Sequence, residues 1–469
     1  MISLRPYQTA IVEDCRAAFR SGQTSTLVQL ATGGGKTVLG SFMVAGSSKR
    51  GLVCWWLVHR RELLAQASKT FYGMGIEHGF IAGGRSSDLS QRVQVGSVQT
   101  VARRLHDLPP PDLIVFDEAH HTGAAQWQQI YAAFPDAKKI GLTATPWRLD
   151  GVGLGRWFET MVQGPTVADL IEAGSLSRYR LFAPSSIDTS AIGVAMGDFK
   201  RDELADLMDK PSITGDAVQH YLRLARGKRA VAFAVSIEHS RHIAAQFQMA
   251  GVPAEHVDGS MATEVRDAAV ARFVSGETLI LSNAELFGEG FDVPAIEAAI
   301  LLRPTKSLSL FLQQVGRALR PCEGKADAII LDHAGNSLQH GLPDDDREWS
   351  LEDRKKSRKK GQQSEVPVRQ CPKCFRVFAP APKCPQCGHQ IAVQVREIEQ
   401  RDGVLAEVDP AVLRAARKQE ERRASSVDDL IQLGISRGYK NPAAWAAKFH
   451  QARQTARAKY QPSYGRAYG

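Results

Sequence analysis

A glycine-rich stretch near the amino terminus, residues 30–37, has the sequence Leu-Ala-Thr-Gly-Gly-Gly-Lys-Thr. It follows an apolar run at residues 26–30 and precedes a second one at residues 38–44, so the sequence predicts a strand, a loop and a helix. This is the layout of a loop that binds phosphate groups. The strict form of the pattern has glycine where Leu30 stands.

Each polar group of this stretch has a defined chemical use. Backbone N–H groups at Gly33, Gly34 and Gly35 would close on a polyphosphate, because glycine lets the backbone approach it. Lys36 would reach the β and γ phosphates, and the Thr37 hydroxyl would bind Mg²⁺. The stretch therefore predicts a nucleoside triphosphate site.

Two carboxylates follow the strand-like run at residues 113–116. Asp117 ends this run, where a charge is costly unless it meets a cation, and Mg²⁺ is the expected partner of a phosphate-binding loop. Glu118 would then orient or deprotonate the attacking water. The alternative, a strand that ends in a solvated acidic turn, is plausible for this motif alone.

A pair of arginines marks the second half of the chain. The segment 313–320, Gln-Gln-Val-Gly-Arg-Ala-Leu-Arg, predicts a helix in which Arg317 and Arg320 are three residues apart and share a face. Such a pair is usually solvated. A second domain that closes on a nucleotide would instead use both arginines for catalysis.

Four of the seven cysteines form two C-x-x-C pairs, Cys371 with Cys374 and Cys384 with Cys387. Four thiolates at this spacing favour a closed structural Zn²⁺ site over disulfides in a cytosolic protein. Iron held as in rubredoxin and a pair of disulfides are the alternatives. The other three cysteines are predicted to be ordinary buried thiols.

Composition and charge give the broader class. With 469 residues and 43% hydrophobic residues, the chain is long enough for two or three globular domains. Residues 351–469 carry 24 Lys and Arg against 12 Asp and Glu, so the net charge of +9 is concentrated there. That asymmetry favours a nucleic-acid partner over a merely solvated surface. With neither a membrane span nor a secretory signal, the sequence predicts a cytoplasmic protein, in a bacterium or a phage-infected cell.

Strand-like runs that alternate with helices predict an α/β fold with parallel sheets. The predicted strands occupy residues 26–30, 52–58, 113–116, 139–142, 230–235, 254–258, 278–282, 298–302 and 328–331. The pattern weakens between residues 151 and 190, as it would in a connection between domains. Two domains are predicted, at residues 1–165 and 166–343.

The remaining residues are predicted to form smaller parts. Residues 344–368 read as an exposed charged linker, and residues 369–390 as a small zinc ribbon or knuckle module. Residues 391–469 read as a basic region with short helices at 412–423 and 443–457 and a disordered tail. In the second helix, Trp445 and Phe449 are four residues apart, which favours packing over recognition.

Four motifs taken together, A-T-G-G-G-K-T, D-E-A-H, T-A-T-P and Q-Q-V-G-R-A-L-R, resemble the motif set of the DEAH-type superfamily 2 helicases. The resemblance covers residues 1–340. It implies two RecA-like domains with ATP and Mg²⁺ in the cleft between them and nucleic acid across both. The implied activity is that of an ATP-dependent DNA helicase or translocase in repair, recombination or replication. Alternatives are an RNA helicase, the motor subunit of a restriction or nuclease complex, or a nucleic-acid-binding scaffold with a vestigial ATPase.

The resemblance also assigns roles to single residues. The implied nucleotide contacts are Gln8, which resembles an adenine-reading glutamine, together with Gly33, Gly34, Gly35, Lys36, Thr37, Gly290 and Asp292. The implied catalytic set is Lys36, Asp117, Glu118, Gln313, Arg317 and Arg320, with Arg320 the first choice for arginine finger. Groups that couple ATP state to domain movement would be His120, Thr143 and Thr145. Nucleic-acid contacts would come from Arg60, Gln99, Thr100 and Ser236.

Within the superfamily, the chain is most similar to RadD-type bacterial DNA-repair helicases and their phage-encoded relatives. The segments that carry this similarity are L-R-P-Y-Q at residues 4–8, L-V-H-R-R-E-L-L-A-Q at residues 57–66, S-V-Q-T-V-A-R-R at residues 97–104 and the carboxyl-terminal cysteine cluster. Gly288 departs from the pattern, because threonine is usual there. The similarity implies single-stranded, forked or duplex DNA as partner, and other repair or replication proteins that bind the carboxyl-terminal region.

Overall fold

The computed structural model of the chain describes residues 4–121, 125–148, 151–183, 211–284 and 296–353, with shorter stretches between residues 194 and 208 and between residues 369 and 450. The backbone divides into two compact units. The first consists of Met1–Lys356 with Gly403–Leu405, and the second of Ser357–Asp402 with Ala406–Gly469. The predicted ATP site falls entirely in the first unit.

The first sheet contains β1 (Ser25–Gln29), β2 (Cys54–Val58), β3 (Gly79–Ile81), β4 (Val93–Ser97), β5 (Leu113–Asp117), β6 (Lys138–Thr143) and β7 (Thr160–Gln163). All neighbours run parallel, in the order β3-β4-β2-β5-β6-β1-β7. The associated helices are α1 (Pro6–Arg20), α2 (Lys36–Ser48), α3 (Arg61–Gly73), α4 (Val98–Arg103) and α5 (Ala125–Ala133). Strands β1, β2 and β5 are buried at every residue, as expected for parallel strands covered on both faces.

The second sheet repeats this plan. Its strands in the first unit are β8 (Tyr179–Ala183), β11 (Ala230–Ala234), β12 (Ala254–Val257), β13 (Ile280–Ala284), β14 (Ala298–Leu301) and β15 (Ala328–Asp332), which lie parallel in the order β12-β13-β11-β14-β15-β8. A small antiparallel pair, β9 (Val194–Ala195) and β10 (Asp198–Phe199), lies between β8 and β11 in the sequence. The helices are α6 (Val167–Glu172), α7 (Pro211–Leu224), α8 (Ile237–Met249), α9 (Thr263–Ser275), α10 (Leu308–Ala318) and α11 (Asn336–His340).

Two parallel α/β domains in tandem confirm this part of the predicted fold, and every predicted strand is present within two residues of its predicted ends. The stretch from 151 to 190 is more regular than the sequence indicates. It contains β7, which pairs with β1, and β8, which pairs with β15. Strand β7 has a single buried residue, Val162, so its sequence lacks the apolar run by which the inner strands were found.

Residues 342–353, which we call the strap, run from the second domain back to the first. The Gly155 N–H donates to Leu351 O at 2.8 Å, and the Gly153 N–H donates to Asp353 Oδ1 at 2.9 Å. The rings of Trp147 and Trp349 lie with centroids 5.0 Å apart. The prediction of an exposed linker from residue 344 is thus wrong for the strap, because contacts distant in sequence pack a segment that has no apolar periodicity of its own.

The second unit is described only in parts. It contains β16 (Arg369–Gln370), β17 (Val377–Phe378), β18 (Ala406–Val408) and α12 (Val427–Ser436). Leu430 and Ala446 are buried, and the side chains of Trp445 and Phe449 pack against them. The rings of Trp445 and Phe449 lie with centroids 5.4 Å apart. These contacts confirm the packing role predicted for Trp445 and Phe449. Helix α12 was not predicted, although Ser426 and Asp429 form a reciprocal capping box at its start. Most of the helix predicted at 412–423 and the tail after 450 lie outside the described residues.

No helix in the described part of the chain has both the length and the apolar character needed to cross a bilayer.

Candidate nucleotide-binding and hydrolysis site

The glycine loop lies between β1 and α2, as the sequence predicts; we call residues 30–37 the phosphate loop. Gly33 and Gly35 have φ values of +87° and +85°, a region that side chains disfavour. A β-carbon on Gly34 would lie 2.9 Å from Leu30 Cγ, and one on Gly35 would lie 2.6 Å from Gln8 Nε2. The buried Leu30 side chain therefore fills the space beneath the loop and is itself a reason for glycine at position 34.

Helix α2 begins at Lys36, directly after the loop. Its first backbone N–H groups carry the positive end of the helix dipole, which suits an anion. Lys36 Nζ has a long contact, 3.4 Å, with Leu30 O, so its ammonium stays beside the loop. Together with Thr37 in the next position, these groups fit the phosphates of a nucleotide with its Mg²⁺.

The amino-terminal segment packs on the phosphate loop. Gln8 is buried; its Nε2 donates to Gly34 O at 3.2 Å and to Gly35 O at 3.4 Å, while its Oε1 accepts from the Arg5 N–H at 3.0 Å. The Tyr7 hydroxyl also donates to Gly34 O at 2.9 Å. The structure thus places Gln8 at the predicted site and adds Tyr7, which the sequence analysis did not single out.

Two acidic residues mark the end of β5. Asp117 is buried, and its Oδ1 accepts the Glu118 N–H at 3.0 Å. Glu118 has φ +51° and is the one non-glycine residue with positive φ in the described part of the chain. Strained backbone of this kind persists where the surroundings hold it, and it clusters at functional sites. The solvated acidic turn considered as an alternative does not describe Asp117, which is 4% exposed.

A chain of polar contacts leads from Glu118 to the second domain. His120 Nδ1 lies 3.4 Å from Glu118 Oε2 and 3.2 Å from Thr143 Oγ1. Thr143 Oγ1 donates to Thr145 O at 2.8 Å, and Thr145 Oγ1 donates to Ser309 Oγ at 2.9 Å. All except Glu118 are buried. Ser309, on α10, was not predicted, and no local pattern in the sequence distinguishes it.

Helix α10 lies against the phosphate loop. A β-carbon on Gly316 would lie 2.6 Å from Thr32 Cβ, and one on Gly33 would lie 3.5 Å from Gly316 O and 3.6 Å from Arg320 Cγ. The aliphatic part of Arg320 is therefore beside the first positive-φ glycine of the loop. Gln313 and Arg317 are buried on the same helix.

The helix is shorter than the sequence predicts. It ends at Ala318, so Arg320 lies in the turn beyond it, and the two arginines do not share a helical face as predicted. We call residues 318–321 the arginine turn. A proline at position 321 disfavours the helical conformation at Arg320, which is the physical reason for the early end.

The residues predicted to contact nucleic acid lie beside the ends of strands. Arg60 precedes α3 and follows β2, and Gln99 Nε2 donates to His59 O at 3.0 Å, which brings α4 to the same turn. Thr100 donates its N–H to Ser97 Oγ at 3.2 Å. Ser236 caps α8 in the second domain, where its Oγ accepts the His239 N–H at 3.1 Å.

Six predicted site residues lie outside the described residues: Gly290, Asp292, Cys371, Cys374, Cys384 and Cys387. Gly288 lies outside them as well. Where side chains are described, no group of three or more His, Cys, Asp or Glu is arranged to hold a metal ion. The zinc site therefore stays a prediction. Cys15 and Cys54 are buried thiols, as predicted, and burial raises the pKa of each to about 12, whereas Cys322 is half-buried.

Two family models match the chain. Residues 1–148 match the model described as type III restriction enzyme, res subunit, and residues 214–322 match the helicase conserved C-terminal domain. The chain is 37% identical over 369 residues to a 51.5 kDa protein of a Lactococcus phage, which covers 78% of each chain.

A second relative is the putative ATP-dependent helicase IRC3 of Saccharomyces cerevisiae, 31% identical over 359 residues. That alignment covers 71% of this chain and 52% of the yeast protein. Among solved structures, a fragment of a putative HsdR subunit of a type I restriction enzyme from Vibrio vulnificus is similar with a TM-score of 0.57 at 24% identity. It covers 72% of this chain and 66% of that fragment, and it supports the fold.

Proposed function

Because this chain belongs to the superfamily 2 helicases, which are nucleic-acid-dependent ATPases, we propose that it is a DNA motor. It hydrolyses ATP between its two RecA-like domains and uses the resulting movement to travel along or remodel DNA in repair, recombination or replication. The observation that carries the proposal is the contact of Gly316 and Arg320 with the phosphate loop. A nucleotide on that loop would meet groups of both domains.

The residues of the first domain bind the nucleotide and activate the attacking water. Backbone N–H groups of the phosphate loop and the Lys36 ammonium hold the phosphates, and Gln8 reads the adenine. Thr37 and Asp117 would hold Mg²⁺, which neutralises charge on the phosphate oxygens when it is bound. Glu118 orients the attacking water and accepts its proton.

The second domain completes the site. Arg320, with Arg317 second, stabilises the negative charge that develops on the transferred phosphoryl group. Gln313, buried one turn before Arg317, positions the same groups, and Gly290 and Asp292 sense the nucleotide. Catalysis then requires the two domains to be close, so turnover depends on their relative position.

The polar chain from Glu118 through His120, Thr143 and Thr145 supports a coupling role for the last three. It reaches Ser309 at the start of the helix that carries Arg317. A change at the γ-phosphate side would alter the Glu118–His120 contact. Because every member of the chain beyond Glu118 is buried, such a change passes to α10 with little competition from water.

DNA would lie across the carboxyl-terminal edges of the two sheets. Arg60, Gln99 and Thr100 are brought together there in the first domain, and Ser236 caps a helix in the second. The basic carboxyl-terminal region adds an electrostatic attraction that does not depend on sequence. Other repair or replication proteins are proposed to bind this region too.

Zinc binding rests on a repeated local geometry. Gln370 pairs antiparallel with Val377, and Lys383 forms an antiparallel bridge with Gln390. Six residues separate the members of each pair in the sequence, and the cysteines occupy the first and fourth of them. Two C-x-x-C pairs are typical of a four-thiolate Zn²⁺ site. We expect Cys384→Ser to lose the bound zinc, measured by metal analysis, and to retain the ATPase; unchanged metal content would contradict the ligand set.

The finer assignment to the RadD-type repair helicases remains part of this proposal. Its support is the L-R-P-Y-Q segment, whose Tyr7 and Gln8 both bond the phosphate loop, and the cysteine cluster. A role in DNA repair would show as sensitivity to DNA damage when the gene is deleted.

A second function has one specific observation in its favour. The match of residues 1–148 to a restriction-enzyme subunit is compatible with a motor that serves a nuclease on another chain. The sequence has an E-x-K triplet at residues 323–325, but the Lys325 ammonium donates to backbone carbonyls, so any cutting is proposed to need another subunit. Co-purification with a nuclease would favour this function.

The test is steady-state ATP hydrolysis with single-stranded, forked or duplex DNA, or with RNA. We expect one form of DNA to raise turnover, and Arg320→Ala to lose most of it. Arg16→Ala, which removes an exposed cation of α1, is the matched control and should be unaffected. Stimulation by RNA alone would contradict the DNA assignment, and no response to any nucleic acid would favour the nuclease-partner function.

A further inference from the structure

A single lysine closes the carboxyl end of α10. Lys325 Nζ lies 2.8 Å from Arg320 O and 2.9 Å from Ile296 O, and it also donates to Ala318 O. All three acceptors are backbone carbonyls. An ammonium group has three N–H donors and no acceptor, so this geometry uses every one of its protons.

The three carbonyls belong to the parts of the second domain that matter for the nucleotide. Ala318 is the last residue of α10, and Arg320 is the residue whose side chain lies beside Gly33. Ile296 lies two residues after the stretch G-E-G-F-D-V-P, residues 288–294, which contains the proposed nucleotide sensors. One ammonium therefore joins the backbone of the arginine turn to the backbone that leads out of the other nucleotide motif.

The rest of the arginine turn is held less completely. The Ser177 N–H donates to Leu319 O at 2.7 Å, and Ser177 Oγ reaches Arg320 O at 3.5 Å. Leu319, at the helix cap, is right-handed, so the usual glycine cap that satisfies the last carbonyls is missing. The Lys325 ammonium replaces it and also meets the negative end of the helix dipole.

The geometry points to a role for this lysine: we propose that Lys325 is a positioning residue for ATP hydrolysis, which holds the arginine turn so that Arg320 reaches the phosphates. The proposal rests on the function proposed above, in which Arg320 completes the active site. It does not place Lys325 in contact with the nucleotide.

The surroundings of Lys325 make this role dependent on pH. Burial lowers the pKa of Lys325 to about 8; Cys322, Glu297 and Asp327 raise it, and Lys228 lowers it further. Above pH 8 the neutral amine has two N–H donors and a lone pair for three carbonyls. One carbonyl then loses its donor, and the arginine turn loosens.

The same titration affects stability in the opposite direction. The pKa of Lys325 is lower in the folded chain than its ordinary value of 10.5, so between about pH 8 and 10.5 the unfolded chain binds more protons. Stability from this group therefore rises with pH through that range. Deprotonation of Lys325 therefore does not unfold the protein in this range. A fall in activity above pH 8 that requires Lys325 must have another cause, the loosening of the arginine turn.

The experiment measures kcat and KM for DNA-stimulated ATP hydrolysis between pH 6.5 and 9.5, at saturating DNA. For the unmodified protein we expect kcat to fall above pH 8 and to level off no lower than the value of Lys325→Met, a total fall of at most roughly tenfold by pH 9.5, with KM changed by less than about twofold. Lys325→Arg keeps its charge throughout and should show no fall in this range. Lys325→Met should be slow at every pH, by roughly tenfold at pH 7, and independent of pH.

Two controls separate Lys325 from its neighbours. Lys139→Arg changes a buried lysine of the first domain, whose Nζ donates to Ala137 O and Pro135 O, and it should keep the fall above pH 8. Cys322→Ser removes the thiol that raises the pKa of Lys325, and it should keep the fall as well.

The outcomes are distinct. The inference is overturned if Lys325→Arg shows the same fall as the unmodified protein, or if Lys325→Met has full kcat at pH 7. If the arginine variant does not fold, as judged by its thermal transition, the methionine variant decides, because any fall above pH 8 in that variant contradicts the proposal. An unmodified protein without ATPase activity would instead overturn the proposed function.

Discussion

The two RecA-like domains hold their proposed site residues in different ways. In the first domain, the phosphate loop, Asp117 and Thr143 all come at the carboxyl ends of buried strands. In the second, Arg320 lies two residues beyond the end of a helix, and side chains of Ser177 and Lys325 reach the carbonyls around it. One half of the site is built by a sheet, and the other by a few polar contacts.

This difference indicates which part of the site can be displaced at the lowest free-energy cost. Groups at strand ends move only if the sheet moves, since each strand bonds to two neighbours. A turn held by hydrogen bonds to a few residues is displaced when those bonds change, each contributing about 1 kcal/mol. We infer that ATP binding and hydrolysis shift the arginine turn more readily than the phosphate loop.

The largest expected effect comes from the first domain. Glu118→Gln keeps the size and the strained backbone of this residue but removes its ability to accept a proton. We expect kcat to fall by about 10²–10³-fold, with nucleic-acid binding largely retained. ATPase assays and a DNA-binding titration on the same preparation check both parts.

Glu13→Gln is the matched control for this substitution. Glu13 is an exposed glutamate on α1 that forms an ion pair with Arg16, and it is not one of the proposed site residues. Its loss should leave kcat unchanged. Normal turnover in Glu118→Gln would remove Glu118 from the proposed site.

A smaller effect is expected where the two halves touch. Gly316→Ala places a methyl group 2.6 Å from Thr32 Cβ, so α10 has to move away from the phosphate loop. We expect kcat to fall by roughly 10–100-fold, because a displacement of about 1 Å at a site is costly. Nucleotide binding by the first domain alone should change little, which a fluorescent ATP analogue measures.

Gly46→Ala provides the comparison within a helix. A β-carbon there meets no atom within 4 Å, and α2 gains a better helix former, so activity stays the same and stability rises slightly. If both glycine variants behave alike, the packing of α10 on the loop is not what sets turnover.

The first half of the site is the half that sequence could predict. Gly33 and Gly35 need positive φ, and Gly34 is crowded by Leu30, a residue only four positions away. These requirements are local, so they appear as a recognisable sequence motif. The buried strands were found for the same reason, as continuous apolar runs.

The second half could be predicted only in part. The motif around Arg317 was recognisable, but the early end of α10 and the roles of Ser309 and Lys325 were not. Thr145 and Ser309 are 164 positions apart, and Lys325 meets Ile296 across 29 positions. Contacts at such separations leave no periodic signal, and the strap was mistaken for a linker for that reason.

The strap offers a third prediction, on stability rather than turnover. Leu351 lies partly buried against the core of the first domain, and Leu351→Ala should cost about 1–2 kcal/mol. We expect the thermal transition to fall by about 2–4 °C per kcal/mol. Glu352→Ala, at the exposed next position, should change it by less than about 1 °C. Equal values for the two variants would mean that the strap does not stabilise the first domain.

The smallest effect, and the most direct test of the link between the halves, concerns Thr145 and Ser309. Their hydroxyls lie 2.9 Å apart in a buried position, so Thr145→Val and Ser309→Ala each leave a polar partner unsatisfied. We expect a double-mutant cycle on kcat to give a coupling of about 1 kcal/mol, because the second substitution costs little once the first is made. Strictly additive effects would show that the two hydroxyls act independently. The polar chain from Glu118 would then end in the first domain, and the arginine turn would receive the state of the nucleotide through the packing of Gly316 on Thr32 alone.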